Sequence, residues 1–462
     1  MKIQFGEKNT GVRVVFNEHA GVRFEKNENV SRISLGIRKL TPLGNREYTV
    51  LIRRVVREAR SHRIAALLIS VNDLRKLSPA LSDEQIVEHA VQNWILADFE
   101  FNQHKTPPKE GWPTIESISF SDCAPNSSMK SAVSRGEIVA QEVNQCRILA
   151  NMSAGEITPR TLAQWAKNAV KGVSRTTVTI HDKKALIRMK AGAILGVAKG
   201  SAEEPRLIVL EYKGGGKEAP IAFVGKGVTF DSGGINIKPS AGGSLEEMHL
   251  DMSGGAAAIH AFVALARLKV KKNIVAIIPS VENMVDGASY RPGDILTSMS
   301  GKTIEVINTD AEGRLILADA LTYVQKEFSP RLIVDIATLT GAALVALGQG
   351  ASAIMTKNPE LQALFVKLGE ESGDFVWPLP LWDVYKENLE SRRADLANIP
   401  ISQSRYGGAI NGGMFLSAFV DPKQLWVHID MAPRMTSIPS DQLAHGATGE
   451  PVRLLIALAQ NY

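Results

Sequence analysis

NTDAEGRLILADAL, residues 308–321, sets Asp310 and Glu312 two residues apart and follows them with Arg314. Two other segments bring charge among glycines. VGKGVTFDSGGINIKPS, 224–240, carries Lys226, Asp231 and Lys238, and MHLDMSGGAAA, 248–258, carries Asp251. Each has a plain reading. A charged residue beside glycine is most often a solvated turn residue. Asn308, Thr309 or Asp310 could cap one helix and Asp251 another, and Glu312 would suit a helix dipole. Taken together they describe a reactive site. Four converging carboxylates repel and raise one another's pKa. Two divalent cations balance those four charges. Oxygen ligands suit magnesium, manganese or zinc, with no Cys or His required. Two such ions about 3.5–4 Å apart activate a water and polarise a carbonyl, which makes a hydrolytic device. A lysine ammonium nearby can steady an oxyanion, and Arg314 can hold an anion.

Such residues need a scaffold that gathers distant segments. Wholly apolar runs at RLIVLEY (206–212), APIAFVG (219–225), NIVAIIPSV (273–281), RLIVDIATL (331–339) and LWVHIDM (425–431) read as buried strands. Amphipathic helical stretches such as AAAIHAFVALARL (256–268) lie between them. This predicts a central sheet covered by helices, with ligands at the carboxyl ends of its strands. Gly225, Gly227, Gly233, Gly234, Gly254, Gly255 and Gly341 punctuate those ends, so the charged segments read as loops there. After the 308–311 turn, Leu317, Leu321, Val324 and Phe328 give a helical face. Asp310 and Glu312, as alternate residues of extended backbone, would point the same way.

The first hundred residues are also α/β, with AALLISV (65–71) as a strand and EYTVLIRRVVREAR (47–60) as a helix. FNQHKTPPKEGWP (101–113) reads as a surface loop. EIVAQEVNQCRILAN (137–151) reads as a helix linking two domains. The organisation expected is a smaller N-terminal α/β domain over 1–130, a connecting helix over 131–155 and a larger domain over 156–462 with a central mixed sheet.

Composition narrows the class. The chain has 462 residues, 44% hydrophobic and 22% charged, with a formal net charge of +5. That is the balance of an ordinary globular protein, and it gives no pointer to nucleic acid or membrane. Cys123 and Cys146 are too few for a disulfide framework and lack CxxC spacing, which fits a reducing cytoplasm. The N-terminus has no signal-peptide core. The apolar stretch 332–355 is broken by Asp335, Gln349 and several Thr and Gly, and reads as strand, turn and packed helix. SGKT at 300–303 does not make a P-loop, because Leu296 stands where the first glycine belongs. No G-x-S-x-G elbow is present, and Cys146 sits on an apolar helical face. His249, His260, His428 and His445 have no metal-ligand spacing and read as structural or surface residues. A nucleic-acid-binding or regulatory protein on this fold is the alternative from another class.

The three charged segments resemble the signatures of the leucine aminopeptidase (cytosol aminopeptidase) family of dinuclear metallopeptidases. DIATLTGA (335–342), WPLPLWDVY (377–385), ADLANI (394–399) and HGATGEPVRLL (445–455) extend the resemblance from about 140 to the C-terminus. The N-terminal 130 residues resemble the family in size and pattern. The resemblance implies a metal-dependent aminopeptidase acting on peptides with a free N-terminus, leucine and other apolar residues first. It implies that Asp231 and Glu312 touch both metals, that Asp310 completes the first, and that Asp251 and a neutral Lys226 complete the second. Lys238 would stay charged beside the tetrahedral gem-diolate. Arg314 would hold a bicarbonate acting as general base. Met248, Thr338, Leu339 and Gly341 match positions lining the substrate side-chain pocket. A cytoplasmic homohexamer of two trimers, its sites facing an interior cavity, is also implied. The sequence departs from the family pattern in three places. Lys238 and Asp251 are two residues further apart than the family's spacing, because of AGGSLEE. Pro433 and Arg434 replace a small Gly-Thr-like pair. ANMSAGEITP (150–159) lacks the usual Asn-x-Pro.

Overall fold

The computed structural model describes residues 1–6, 11–18, 21–26, 31–37, 42–240 and 245–462. The inserted part of the AGGSLEE stretch at 241–244 lies outside the described residues. The chain divides into two compact units. The first comprises Met1–Asn144 with Ser437–Gly446, and the second comprises Gln145–Thr436 with Ala447–Tyr462.

In the first unit the described residues form a six-stranded sheet in the order Lys2–Phe5, Ser117–Phe120, Ala66–Ile69, Val12–Asn17, Ser31–Gly36, Val22–Lys26. Only the last pairing is antiparallel. Helices Asn45–Ser61 and Asp83–Asp98 pack on each other. Ser82 caps the second, accepting from the Gln85 N–H while Gln85 accepts from the Ser82 N–H. Residues 101–113 form no helix or strand. The predicted helix at 137–151 is the end of a longer one, Ser127–Asn151, in which Cys146 is buried.

The second unit is built on a nine-stranded mixed sheet. Its centre is four parallel strands in the order Trp426–Asp430, Leu332–Ala337, Ile221–Gly225, Asn273–Asn283. Each of the five predicted apolar runs coincides with one of its strands to within two residues at either end, and antiparallel Arg206–Lys213 is the fifth. The 332–355 stretch yields strand Leu332–Ala337, helix Gly341–Leu347 and a further strand, Ser352–Met355. Among the described residues no helix is long and apolar enough to cross a membrane.

Several local expectations are corrected. The 226–231 segment is not simply a loop: Gly227–Asp231 is a strand that continues the line of Ile221–Gly225 along Asn273–Asn283. Its alternation is masked by Gly227 and by the lysine between the two strands. Helix Ser253–Arg267 is not amphipathic, because every residue from Ser253 to Ala266 is buried. It packs on the sheet and also on the C-terminal helix Val452–Asn461. Helix Glu312–Phe328 is likewise buried from Glu312 to Val324 rather than along one face. Its N-cap is Ala311, which makes no side-chain cap hydrogen bond, so Asn308, Thr309 and Asp310 are not its cap. Asp310 sits in a turn rather than in extended backbone. Asp251 lies in a 3₁₀ turn, Met248–Met252, and Met252 occupies the cap position it was weighed for.

Two devices fix these helices. Asp319, wholly buried in Glu312–Phe328, accepts from the N–H groups of Ala193 (3.0 Å), Ile194 (2.9 Å) and Met299 (2.6 Å). Gly254 lets helix Ser253–Arg267 touch the sheet backbone: a Cβ there would lie 2.2 Å from the Ile336 carbonyl oxygen. Gly254→Ala should therefore lower stability by about 1–3 kcal/mol through overpacking against backbone. Gly287→Ala, where a Cβ meets nothing within 4 Å, should change it by less than about 0.5 kcal/mol. Urea denaturation of both variants checks this, and equal midpoints would refute the close-approach argument.

Candidate metal centre

The sheet delivers the charged residues to one end. Asp231 closes strand Gly227–Asp231, and its register partner Asn283 closes Asn273–Asn283. Lys226 interrupts the line between Gly225 and Gly227. Its N–H donates to the Ile336 carbonyl, and its own carbonyl accepts from the Gly255 N–H. Thr338 follows strand Leu332–Ala337. These are carboxyl ends of parallel strands, where α/β sheets hold ligands.

The site contains two ion-paired halves. Lys226 Nζ lies 2.9 Å from Asp251 Oδ2 and 2.8 Å from Glu312 Oε1, and donates to the Thr338 carbonyl at 3.0 Å. Lys238 Nζ lies 2.7 Å from Asp231 Oδ2 and 2.5 Å from Asp310 Oδ1. Lys226, Asp231, Asp251 and Glu312 are each at most 3% exposed. The arrangement leaves two negative charges unbalanced, four carboxylates against two ammoniums, in a place with little water. Burial and the neighbouring acids push Asp251 up to about 8 and Asp310 up to about 7. Asp231 is raised by burial and by Glu312. Burial opposes the charge on Glu312 too, yet Lys226 and Lys238 hold it below the usual carboxylate range. Burial alone would pull both lysines down, but the carboxylates around them outweigh it and both are raised. A neutral Lys226 therefore requires cations in the site to reverse the field it feels.

The donor set fits metal ions. Asp231, Asp310 and Glu312 each offer an oxygen, and these oxygens lie within 4.8 Å of one another. Oxygens on opposite sides of one divalent ion, with bonds of about 2.0–2.4 Å, are spaced in this way. Glu312 Oε2 is buried with no hydrogen-bond partner. Asp251 Oδ2 and Asp310 Oδ1 face the ammoniums without hydrogen-bond geometry, although they are within ion-pair distance. An unpartnered buried carboxylate oxygen is costly unless something charged completes it.

Arg314, in the first turn of Glu312–Phe328, is 6% exposed and donates through Nη1 to the Asn398 carbonyl at 2.7 Å. Its Nε has no partner, and burial lowers its pKa to about 10. Arg314 and Asp310 lie on the wall of a cavity of about 1040 Å³, together with Leu339 and Gly341. Thr338 belongs instead to the charged cluster: its hydroxyl donates to Asp251 Oδ1 at 2.7 Å. Met248 opens the turn that carries Asp251 and is not among the residues lining this cavity. The histidines stay outside the cluster. His260 meets Trp165, His428 pairs with Asp335, His249 contacts the Glu246 carbonyl, and His445 is exposed.

Some residues that shape the site went unrecognised in the sequence. Asn283 Nδ2 donates to Asp231 Oδ1 (2.8 Å) and to the Thr309 carbonyl (3.0 Å), tying two charged segments together. Tyr290 donates to the same carbonyl at 2.6 Å. Asp430 accepts from the Leu339 N–H (3.1 Å) and the Thr340 hydroxyl (2.6 Å), which fixes the cavity loop. Asn283 and Asp430 end apolar runs, but that place does not reveal which distant group each will meet, and Tyr290, in the polar DGASYRPGD stretch, has no signal. Pro433 and Arg434 form a buried turn in which Arg434 pairs with Glu450 at 2.7 Å, and Arg434 also donates to the Gln349 carbonyl.

Residues 144–456 match the cytosol aminopeptidase family, catalytic domain. The chain belongs to the cytosol aminopeptidase family. A protein of Syntrophotalea carbinolica named "Probable cytosol aminopeptidase" is 43% identical over 381 residues, covering 81% of this chain and 75% of that protein. One of Xylella fastidiosa with the same name is 39% identical over 421 residues, covering 91% and 83%. Among solved structures, the bottromycin maturation enzyme BotP superposes with a TM-score of 0.86 at 27% identity, covering 98% of this chain and 99% of that one. The same enzyme in complex with Mn gives 0.85 at 26%, covering 100% and 99%. As a member of this family the chain is a metal-dependent hydrolase that removes N-terminal residues from peptides. The nucleic-acid-binding alternative finds no support among these relatives.

The cluster depends on one glycine. A Cβ on Gly313 would lie 2.6–2.8 Å from Lys226 Cε, Nζ and Cδ, and Lys226 is held on three sides. Alanine is also the better helix former by about 1 kcal/mol. Gly313→Ala should therefore keep thermal stability near wild type while reducing both bound metal and peptidase activity. Elemental analysis beside a melting curve reads both, and full metal content with full activity would contradict the packing argument.

Proposed function

We propose that the four acids and Lys226 hold two divalent ions, with Asp231 and Glu312 serving both. Asp310 would complete the first site, and Asp251 with neutral Lys226 the second. When bound, the ions supply Lewis acidity and a nucleophile at neutral pH. The observation that carries this reading is the buried, unpartnered Glu312 Oε2 beside two half-neutralised carboxylate pairs. Manganese or zinc is the pair expected, with magnesium a third choice. The similarity to a BotP structure solved with manganese supports manganese.

The chain's own side chains then divide the work. Lys238 is fixed by Asp231 and Asp310 and keeps its proton, so it can stabilise an oxygen that gains charge as the peptide carbonyl is attacked. Arg314 has Nη1 committed to Asn398 and Nε free, which suits it to hold a small anion such as bicarbonate as the general base. Asn283 prevents Asp231 from turning away when a proton or ion leaves. Leu339 and Gly341 on the cavity wall, together with Met248 and Thr338, would receive the N-terminal side chain, favouring leucine and other apolar residues. Catalysis would reside in residues 156–462, with 1–130 as a separate accessory domain and 131–155 joining them. A cytoplasmic homohexamer completes the proposal.

Purified protein loaded with manganese or zinc should hydrolyse leucine p-nitroanilide and lose that activity to a chelator. Glu312→Gln should reduce turnover by about 100-fold or more, because it removes a ligand shared by both ions. Full activity in Glu312→Gln would sink the assignment. Arg314→Ala should slow turnover by about 100-fold, the scale of one base or donor, while elemental analysis still finds two ions per chain. Loss of the ions in that variant would contradict the anion-holding role. Light scattering should report a hexamer, and a monomer mass would refute that part.

A further inference from the structure

The catalytic cavity is electrically lopsided. Of the described residues on its wall only Asp310, Arg314 and Arg405 carry a formal charge. Asp310 belongs to the acidic cluster. Arg314 is buried and directed by its bond to Asn398. Arg405 differs from both. It is exposed, it stands in the 399–411 segment that forms one side of the cavity, and no hydrogen bond or ion pair joins it to another described residue. The rest of that side is apolar or uncharged, with Ile399, Pro400, Tyr406 and Ile410 among its residues. Tyr406, next to the arginine, is 89% exposed, so this wall is open to an incoming chain rather than packed against its own.

We propose that Arg405 is a specificity residue that receives the C-terminal carboxylate of short peptides, so that this aminopeptidase favours free di- and tripeptides over longer or blocked chains. The inference rests on the function proposed above. A peptide whose α-amine is drawn to the acidic end of the cavity carries one obligatory anion, its terminal carboxylate, and in a di- or tripeptide that anion is only a residue or two beyond the bond cut. A guanidinium free of internal partners matches a carboxylate with two parallel hydrogen bonds. It is exposed, so it contributes selectivity of modest size that salt weakens.

The test compares Leu-Ala and Leu-Ala-Ala with their C-terminal amides, and adds Leu-Asp-amide, in which the only carboxylate is on a side chain. Leucine p-nitroanilide, which has no carboxylate, establishes first that the metal-loaded protein is an active aminopeptidase; inactivity there would fail the underlying reading and not this one. The expected result is a kcat/KM ratio of free peptide to amide of about two- to fivefold in wild type, the range of an exposed ion pair. The ratio should approach one in Arg405→Ala, be partly kept in Arg405→Lys, and shrink at high salt. The difference should appear in KM more than in kcat. A wild-type ratio near one, or a ratio unchanged in Arg405→Ala, overturns the proposal. Preference for Leu-Asp-amide equal to that for the free dipeptide overturns the assignment to the C-terminal carboxylate.

Discussion

Four carboxylates forced together, three of them buried and Asp310 half-buried at the cavity wall, are the constraint on which the rest of the structure depends. Buried like charges repel, and each loses its hydration, so the arrangement persists only where the surroundings impose it. Two lysines supply half of the compensation. Lys226 stands between Asp251 and Glu312, and Lys238 between Asp231 and Asp310. The remaining imbalance, with Glu312 Oε2 unpartnered, is one that dications would relieve. Such ions would reverse the field on Lys226, which the carboxylates otherwise keep protonated. Charge state and metal occupancy are one equilibrium here.

The fold meets this demand with backbone contacts. Parallel strands bring Lys226, Asp231, Asn283 and Thr338 to one end of the sheet. Gly254 and Gly313 allow helix backbone to come close to strand and lysine. Asp319 clamps the helix that begins at Glu312 onto the N–H groups of Ala193, Ile194 and Met299. Asp430 does the same for the loop that carries Leu339 and Thr340 along the cavity. A site on such elements has its backbone positioned in advance, as catalysis by positioned charge requires.

How much of this could be read in the sequence follows from the range of each signal. The core strands were legible because strands buried on both faces are apolar throughout. The site was legible because charged residues flanked by glycine are conspicuous at the ends of such strands. The strand Gly227–Asp231 was hidden because Gly227 and Lys226 look like loop residues, and its strand character comes from pairing with a segment some fifty residues away. Helices Ser253–Arg267 and Glu312–Phe328 gave amphipathic patterns too weak to reveal that both faces are covered. Asn283, Asp319 and Asp430 were illegible as site residues, since a single polar residue in an apolar run does not disclose which distant N–H or carboxylate it will meet. Ala311 as the cap of its helix had no signal at all. Its neighbours Asn308, Thr309 and Asp310 are all good caps, and each is engaged elsewhere, Asp310 with Lys238 and Thr309 with Asn236 and Gly233.

The central claim, that the buried acids exist to hold two cations, is tested most directly by anomalous diffraction from crystals grown with manganese. Two anomalous peaks per chain are expected. One should lie within bonding distance of Asp231, Asp310 and Glu312, and the other of Asp231, Glu312, Asp251 and Lys226. A map with no peak among these acids, and with Lys226 still against Asp251 and Glu312, would contradict it.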